Sequence, residues 1–295
     1  MDMWHRIGYV FRLSNIGAFI FLFLNVSLTF LVVLYLGLNE INNIVVLISV
    51  YFLVFIIGLS PIGDFIFAIV FGAKNIKRND IKLKLYPLFD IVYEQAKEKN
   101  KYISKHVNLK IIDDDSVNAF AIGRHTICVT KGLLNLGDEE IMAILAHEFG
   151  HIAYRHTIIQ VLVTCSNLFV SGFLLIVKIC CWMIAGMCTL FSLLYKSYLL
   201  GIIITACAAT SSFFIWLWTK ICLIFLRWSM RENEYLADEY AFRLGHGDML
   251  ASVLDRVVCS EPQKGFLKAL YSTHPDNDKR IAHLQELGTA YSRFC

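Results

Sequence analysis

The chain has 295 residues, 57% of them hydrophobic and 17% charged, with a mean hydropathy of +0.59. That is too apolar for an ordinary soluble domain, where about 45–50% apolar is usual. The net charge of +3 is small, and no basic cluster interleaved with aromatics lies outside the apolar blocks, so a nucleic-acid partner is excluded. None of the nine cysteines forms a C-x-x-C pair. Cys165, Cys180, Cys181, Cys188, Cys207 and Cys222 sit in apolar blocks, where cysteine behaves as a small hydrophobe. This indicates neither a disulfide framework nor a cysteine metal site.

Residues 16–38 carry no charge and suffice to cross a bilayer, which takes about 20 apolar residues. Arg6 and Arg12 precede them. With no A-x-A cleavage site, the segment reads as an uncleaved anchor. A second apolar block, 44–72, predicts a span over about 44–63, with its remainder along the interface or extending the span. These blocks make 1–72 an N-terminal membrane region. The loop between them, LNEINN, has no Lys or Arg. The segment after them has Lys74, Lys77, Arg78, Lys82 and Lys84, so the positive-inside rule places the N-terminus and this segment in the cytosol.

Residues 73–157 are polar enough for a soluble domain. Leu85, Leu88, Phe89, Val92 and Ala96 predict an amphipathic helix over about 84–100. VNLKII and TICVT read as short strands, and Asp138 as the N-cap of a helix with Ile141, Ile144, Leu145 and Ile152 on one stripe. Residues 158–226 are apolar again, with spans expected near 158–178 and 199–219. Lys178 and Lys196 would snorkel at the external ends. The apolar stretch between them lies at the interface or extends the helices. The tail, 227–295, is polar and mostly helical.

AHEFGH, 146–151, lies on the helix after Asp138. Positions i and i+4 share a helix face, so His147 and His151 can aim at one ion. Glu148, about 100° further round, is placed to hold a water as general base. Small Gly150 lets another element approach. Catalytic zinc keeps three protein ligands. A third histidine in the H-E-x-x-H-x-x-G-x-x-H arrangement fails, because Tyr154 and Thr157 hold the required positions and His156 is off register by one. What remains is a glutamate from a second helix. In RENEYLADEYA, 231–241, Glu234 and Asp238 share a face: Glu234 would bind zinc, and Asp238 would accept a hydrogen bond from the far nitrogen of a ligating histidine. The alternative is a solvated acidic helix of Glu232, Glu234, Asp238 and Glu239.

Taken in order, VNAFAIG (117–123), ICVTKGLL (127–134), ILAHEFGH (144–151), ENEYLADEYA (232–241) and STHPDNDKRI (272–281) resemble the HtpX family of membrane-embedded zinc metallopeptidases. That family is related to the Oma and CAAX-prenyl endopeptidase groups. The resemblance covers nearly the whole chain. It implies a mainly α integral membrane protein with about four transmembrane helices. It also implies a cytosolic α+β zincin-type domain with a small sheet, assembled from 73–157 and 227–295. One Zn2+ per chain on His147, His151 and Glu234 is implied, with Glu148 as the catalytic base.

The resemblance also places Asn118, Ala119 and Phe120 beside the cleft, where a strand edge can pair with an extended substrate. Asn118 is alternatively a turn residue. His274 is expected near the metal, either stabilising the oxyanion or filling the open site at rest. Arg280 pairs with a carboxylate or assists at the oxyanion. Asp276 departs from the family by replacing a second proline after His274-Pro275. The implied partners are polypeptides, among them membrane proteins, and the lipid bilayer; oligomeric state is not indicated. The implied location is the bacterial inner membrane with the site facing the cytosol, and the implied role is protein quality control. Two rivals stand beside this reading: a CAAX-type prenyl-peptide protease, whose group uses many more spans, and a non-enzymatic zinc-binding membrane scaffold.

Overall fold

The structure is a computed structural model that describes residues 12–35, 40–101, 103–194, 198–258 and 277–291. Helices α1 (Ile16–Tyr35) and α2 (Ile41–Gly58) lie in the first apolar blocks. The second span ends earlier than expected, because Ser60 and Pro61 start a new helix. The Ser60 hydroxyl accepts from the Ile62 and Gly63 N–H groups at 3.2 and 3.4 Å. Pro61 takes the first helical position, where a missing N–H is harmless. The new helix, α3 (Pro61–Val70), exposes Ile62, Phe65, Ile66 and Ile69 and turns Asp64 and Ala68 inward.

The polar segment builds a small mixed sheet with helices on its faces. In chain order it contains β1 (Lys74–Asn75), α4 (Asn79–Lys99), β2 (Asn108–Ile112), β3 (Ala119–Ile122), β4 (Thr126–Thr130) and α5 (Asp138–Ala153). The sheet order is β1-β2-β4-β3; β2 and β4 are parallel, and both outer strands pair antiparallel with their neighbours. All of β4 is buried, because both of its faces are covered. Ile127 and Val129 join the core formed with α4 and α5, while Cys128 packs with Ala68 of α3. Burial pushes the Cys128 thiol up to about 12, which keeps it protonated and inert.

Two boundaries differ from expectation. α4 begins at Asn79 and carries Pro87 inside it. Pro87 is exposed, so the backbone carbonyl it frees can be satisfied by solvent. α5 is capped by Gly137, not Asp138, and the Glu140 carboxylate accepts the Gly137 N–H at 2.8 Å. The core beneath the sheet joins Leu85, Phe89 and Val92 of α4 to Ile141, Leu145 and Phe149 of α5. Phe149 is fully buried, which stabilises the fold by about 1.5–3 kcal/mol.

Gly123, in the β3–β4 turn, has φ +56, and the Asp64 carboxylate occupies the space a Cβ would need. The same carboxylate lies 3.3 Å from His125 Nδ1. α3 thus clamps the end of the sheet nearest β3, and only glycine fits the turn.

Helices α6 (His156–Leu194) and α7 (Tyr198–Arg243) run for 39 and 46 residues. At about 1.5 Å per residue both far exceed the roughly 30 Å hydrocarbon core. The stretch after Lys178 therefore extends the helices, although 195–197 lie outside the described residues. α8 (Gly247–Val258) and α9 (Asn277–Glu286) follow among the described residues, with Leu250, Leu254, Ile281 and Leu284 in the α4–α5 core.

The expected class holds: a mainly helical chain with a small mixed sheet and, among the described residues, four helices long and apolar enough to cross a membrane. Two compact units result. One contains residues 53–162 with the described parts of 1–16 and 228–295; the other contains the described parts of 17–52 and 163–227.

Candidate active site

The last turns of α5 place His147 and His151 on one buried face, with their Nε2 atoms 3.2 Å apart. Glu234 comes from the far end of α7. Its Oε2 lies 3.3 Å from His147 Nε2 and its Oε1 3.4 Å from His151 Nε2. One ligand atom from each residue falls within 4.8 Å of the others. The approach of α7 depends on Gly150: a Cβ there would stand 2.9 Å from Ala237 Cα and 3.0 Å from its carbonyl oxygen. No side chain fits without moving the backbone that carries Glu234.

The donor set fits a divalent cation. Two imidazole nitrogens and a carboxylate converge in a buried space, and each can offer a lone pair. Burial opposes a charge on His147, but hydrogen bonds to Asp238 and Glu234 outweigh it and push its pKa up to about 10. The carboxylates therefore stabilise positive charge at this ring, which a proton or a metal ion can supply.

A second layer holds the first. His147 Nδ1 lies 2.8 Å from Asp238 Oδ1. Asp238 is wholly buried and receives Arg280 on both oxygens, Nη2 at 2.6 Å and Nε at 2.7 Å. Arg280 Nη1 also lies 3.4 Å from Glu234 Oε2. Burial works against the Arg280 charge, but Asp238 and Glu234 more than offset it and raise its pKa above the usual arginine value. Arg280 is thus paired with the Asp238 and Glu234 carboxylates.

Glu148 points to the sheet. Its Oε2 accepts the Ala121 N–H at 2.9 Å. Ala121 lies on β3, the outer strand, and this N–H bonds to Glu148 instead of to β4. Ala119 is buried in the α4–α5 core. The Phe120 ring instead meets Phe71 edge-on, 5.2 Å between centroids, on the α3 face. Phe120 therefore offers an extended ligand neither its ring nor its backbone groups, which alternate with those of Ala121 and face β4. Asn118 is held by Thr130, whose Oγ1 accepts the Asn118 N–H and whose N–H reaches the Asn118 carbonyl at 2.9 Å.

The fold thus brings together His147, Glu148, His151, Glu234, Asp238 and Arg280, with β3 alongside. His274 lies outside the described residues. One neighbour was missed as such. His156, considered above only as an out-of-register ligand, places Nδ1 3.1 Å from His151 Nδ1. Its sequence distance from His151 was visible; the turn that folds it back was not.

The pattern of Peptidase family M48 matches residues 88–288, which includes every one of these site residues. A protein named Protease HtpX homolog from Desulforapulum autotrophicum is 27% identical over 288 residues, covering 84% of this chain and 89% of its own. A CAAX prenyl protease 1 homolog from Caenorhabditis elegans is 27% identical over 158 residues, 50% of this chain and 32% of that protein. The crystal structure of S. mikatae Ste24p superposes with a TM-score of 0.49 at 16% identity, covering 96% of this chain and 65% of that one. With the family match spanning well over half its length, and four helices suited to a bilayer, the chain belongs to peptidase family M48 as a membrane metallopeptidase.

Proposed function

We propose that the protein is a zinc-dependent endopeptidase that cuts membrane or misfolded proteins at the cytosolic face of the bacterial cell membrane. The observation that carries this is the position of Glu148. It directly follows a metal-ligand histidine and is hydrogen-bonded to the N–H of an outer strand, so base and substrate-binding edge meet at one point.

In this reading His147, His151 and Glu234 hold the ion. Zinc, when bound, supplies a Lewis acid that makes water more acidic and polarises a carbonyl. Asp238, charge-balanced by Arg280, fixes the His147 tautomer. β3 pairs with an extended segment of substrate through the outward-facing backbone of Ala119, flanked by Asn118 and Phe120, which hold the strand against β4. Glu148 takes one proton from water as its oxygen bonds to the peptide carbonyl carbon. Glu148 then delivers that proton to the amide nitrogen as the C–N bond breaks. His274 keeps its role beside the oxyanion as an inference from the resemblance alone. The charge asymmetry around the first two spans supports the cytosolic side; the resemblance to HtpX supports the quality-control role.

The test is proteolysis of a membrane-protein substrate in detergent, with and without a chelator, beside a prenylated peptide. Cleavage of the protein that stops with chelation and returns with zinc is expected. Cleavage of the prenylated peptide alone would favour the CAAX-type reading, which the half-length match to the C. elegans protein keeps in view. Glu148→Gln is expected to retain zinc and lose about 10²–10⁴-fold in rate. Normal turnover in that variant would falsify the assignment of the base.

A further inference from the structure

His156 opens α6 and is 1% exposed. Its position depends on the two-residue turn after α5. Arg155 adopts φ +61, the left-handed region, at a cost on the order of 1 kcal/mol for a residue with a Cβ. That turn brings the first residue of α6 back against the last turn of α5. The two Nδ1 atoms, of His151 and His156, then stand 3.1 Å apart.

Two ring nitrogens at that distance share one proton, donated by one and accepted by the other. His151 Nε2 faces His147 and Glu234. To hold a cation there, His151 must carry its proton on Nδ1, and His156 Nδ1 must accept it. The remaining His156 proton then sits on Nε2, which is buried with no hydrogen-bond partner among the described residues. We propose that His156 is a positioning residue for His151: it accepts the Nδ1 proton, fixes the tautomer and plane of the ring, and so aims Nε2 at the ion. The inference rests on the reading of His147, His151 and Glu234 as zinc ligands.

The same task is done differently for the other histidine. His147 uses a carboxylate, Asp238, whose charge Arg280 neutralises. His151 uses a neutral ring, which adds no charge. With a divalent ion in place, Arg280 and the ion together balance Glu148, Glu234 and Asp238.

The experiment is a chelator-competition titration of zinc into the full-length protein in detergent, with the melting temperature of the metal-free form measured alongside. His156→Phe keeps a ring of similar size and removes the acceptor. It is expected to weaken zinc binding about 10–100-fold. His156→Gln retains a carbonyl that can accept the same proton and is expected to recover most of that loss. Zinc affinity at the wild-type level in a folded His156→Phe protein overturns the proposal, as does an equal loss in the Phe and Gln variants. If His156→Phe does not fold, His156→Leu against His156→Gln makes the same comparison. A purely structural role would lower the metal-free melting temperature and leave zinc affinity unchanged, which also counts against it. If the wild-type protein itself binds no zinc, the zinc reading fails first, and the two failures are distinct.

Discussion

The two units of this protein satisfy their polar groups in different proportions, the first mostly within single helices, with Thr29–Tyr51 and Trp182–Ser212 among its bonds between helices. In the unit formed by 17–52 and 163–227, hydroxyls mostly bond one turn back on their own helix. Thr189 Oγ1 donates to the Ala185 carbonyl at 2.7 Å, Thr210 to Ala206 at 2.8 Å and Thr219 to Ile215 at 2.9 Å. Such bonds need nothing but the helix, as hydrocarbon surroundings require. In the site-bearing unit the decisive bonds cross the fold. Arg280 reaches Asp238 over 42 residues, Ala121 reaches Glu148 over 27, and Lys84 reaches the Leu134 carbonyl over 50. Each exists only when several elements are in place together. The first unit should therefore tolerate the loss of a polar group, and the second should not.

The largest break in that contrast comes at Arg280. Arg280→Ala leaves the buried carboxylates of Asp238 and Glu234 without the guanidinium they share. Removing one partner of a buried pair costs about 3–5 kcal/mol, or about 6–20 °C in melting temperature for a unit of this size. The metal-free protein in detergent is the form to measure. A drop of only a degree or two would mean that water already reaches these carboxylates.

A smaller break is expected at Thr130. Its hydroxyl accepts from Asn118 N–H at 2.8 Å and lies 2.6 Å from the Ser116 carbonyl and 2.8 Å from that of Asn118. Thr130→Val keeps the shape and removes all three contacts. The Asn118 N–H is then left unsatisfied at the start of β3, at a cost of about 1–3 kcal/mol. Because β3 borders Glu148, the variant should also raise KM, while metal affinity stays at the wild-type value. An unchanged KM would mean that β3 keeps its place without this anchor.

The same contrast explains what the sequence revealed. The apolar spans are local facts of composition, and α1, α2, α6 and α7 lie in the apolar blocks, although α2 ends early and α6 and α7 run well past the lengths expected. His147 and His151 are legible because a helix repeats every 3.6 residues. Glu234 and Asp238 needed a chemical requirement, a third ligand and its support, to be singled out. What stayed hidden were pairings between distant segments. Nothing local to Arg280 names Asp238 over the oxyanion as its partner. The Ser60-Pro61 break was readable but was absorbed into an apolar run. His156 depended on a left-handed residue at Arg155, a conformation that arginine does not advertise.

A modest pH effect should appear at His246, far from the metal ligands. Its Nε2 lies 2.9 Å from Gln95 Oε1. Burial holds its pKa below the ordinary histidine value, with the Glu139 charge only partly opposing this. The folded state thus takes up this proton less readily than the unfolded chain. The stability linked to the neutral ring is complete above about pH 6.5, the unfolded value, and is lost as pH falls toward the lower folded value. Between pH 7.5 and 5.5, metal-free wild-type protein should lose melting temperature more steeply than His246→Gln. Parallel curves would show that the ring is solvated enough to titrate normally.

The smallest expected effect is at Thr219, and it tests the other side of the contrast. The substitution is the one proposed for Thr130, threonine to valine, so side-chain volume and branching are held constant. Thr219 is exposed on α7, and its hydroxyl returns to the Ile215 carbonyl, which already belongs to the helix ladder. Removing the hydroxyl leaves no group stranded, since a carbonyl has two lone pairs and keeps its backbone donor. Valine is also the better solvent match for lipid. Thr219→Val should therefore shift stability by no more than about 0.5 kcal/mol, in either direction. A loss comparable to that of Thr130→Val would show that the hydroxyl has a partner beyond its own helix, and that the apolar unit also depends on polar contacts made across the fold.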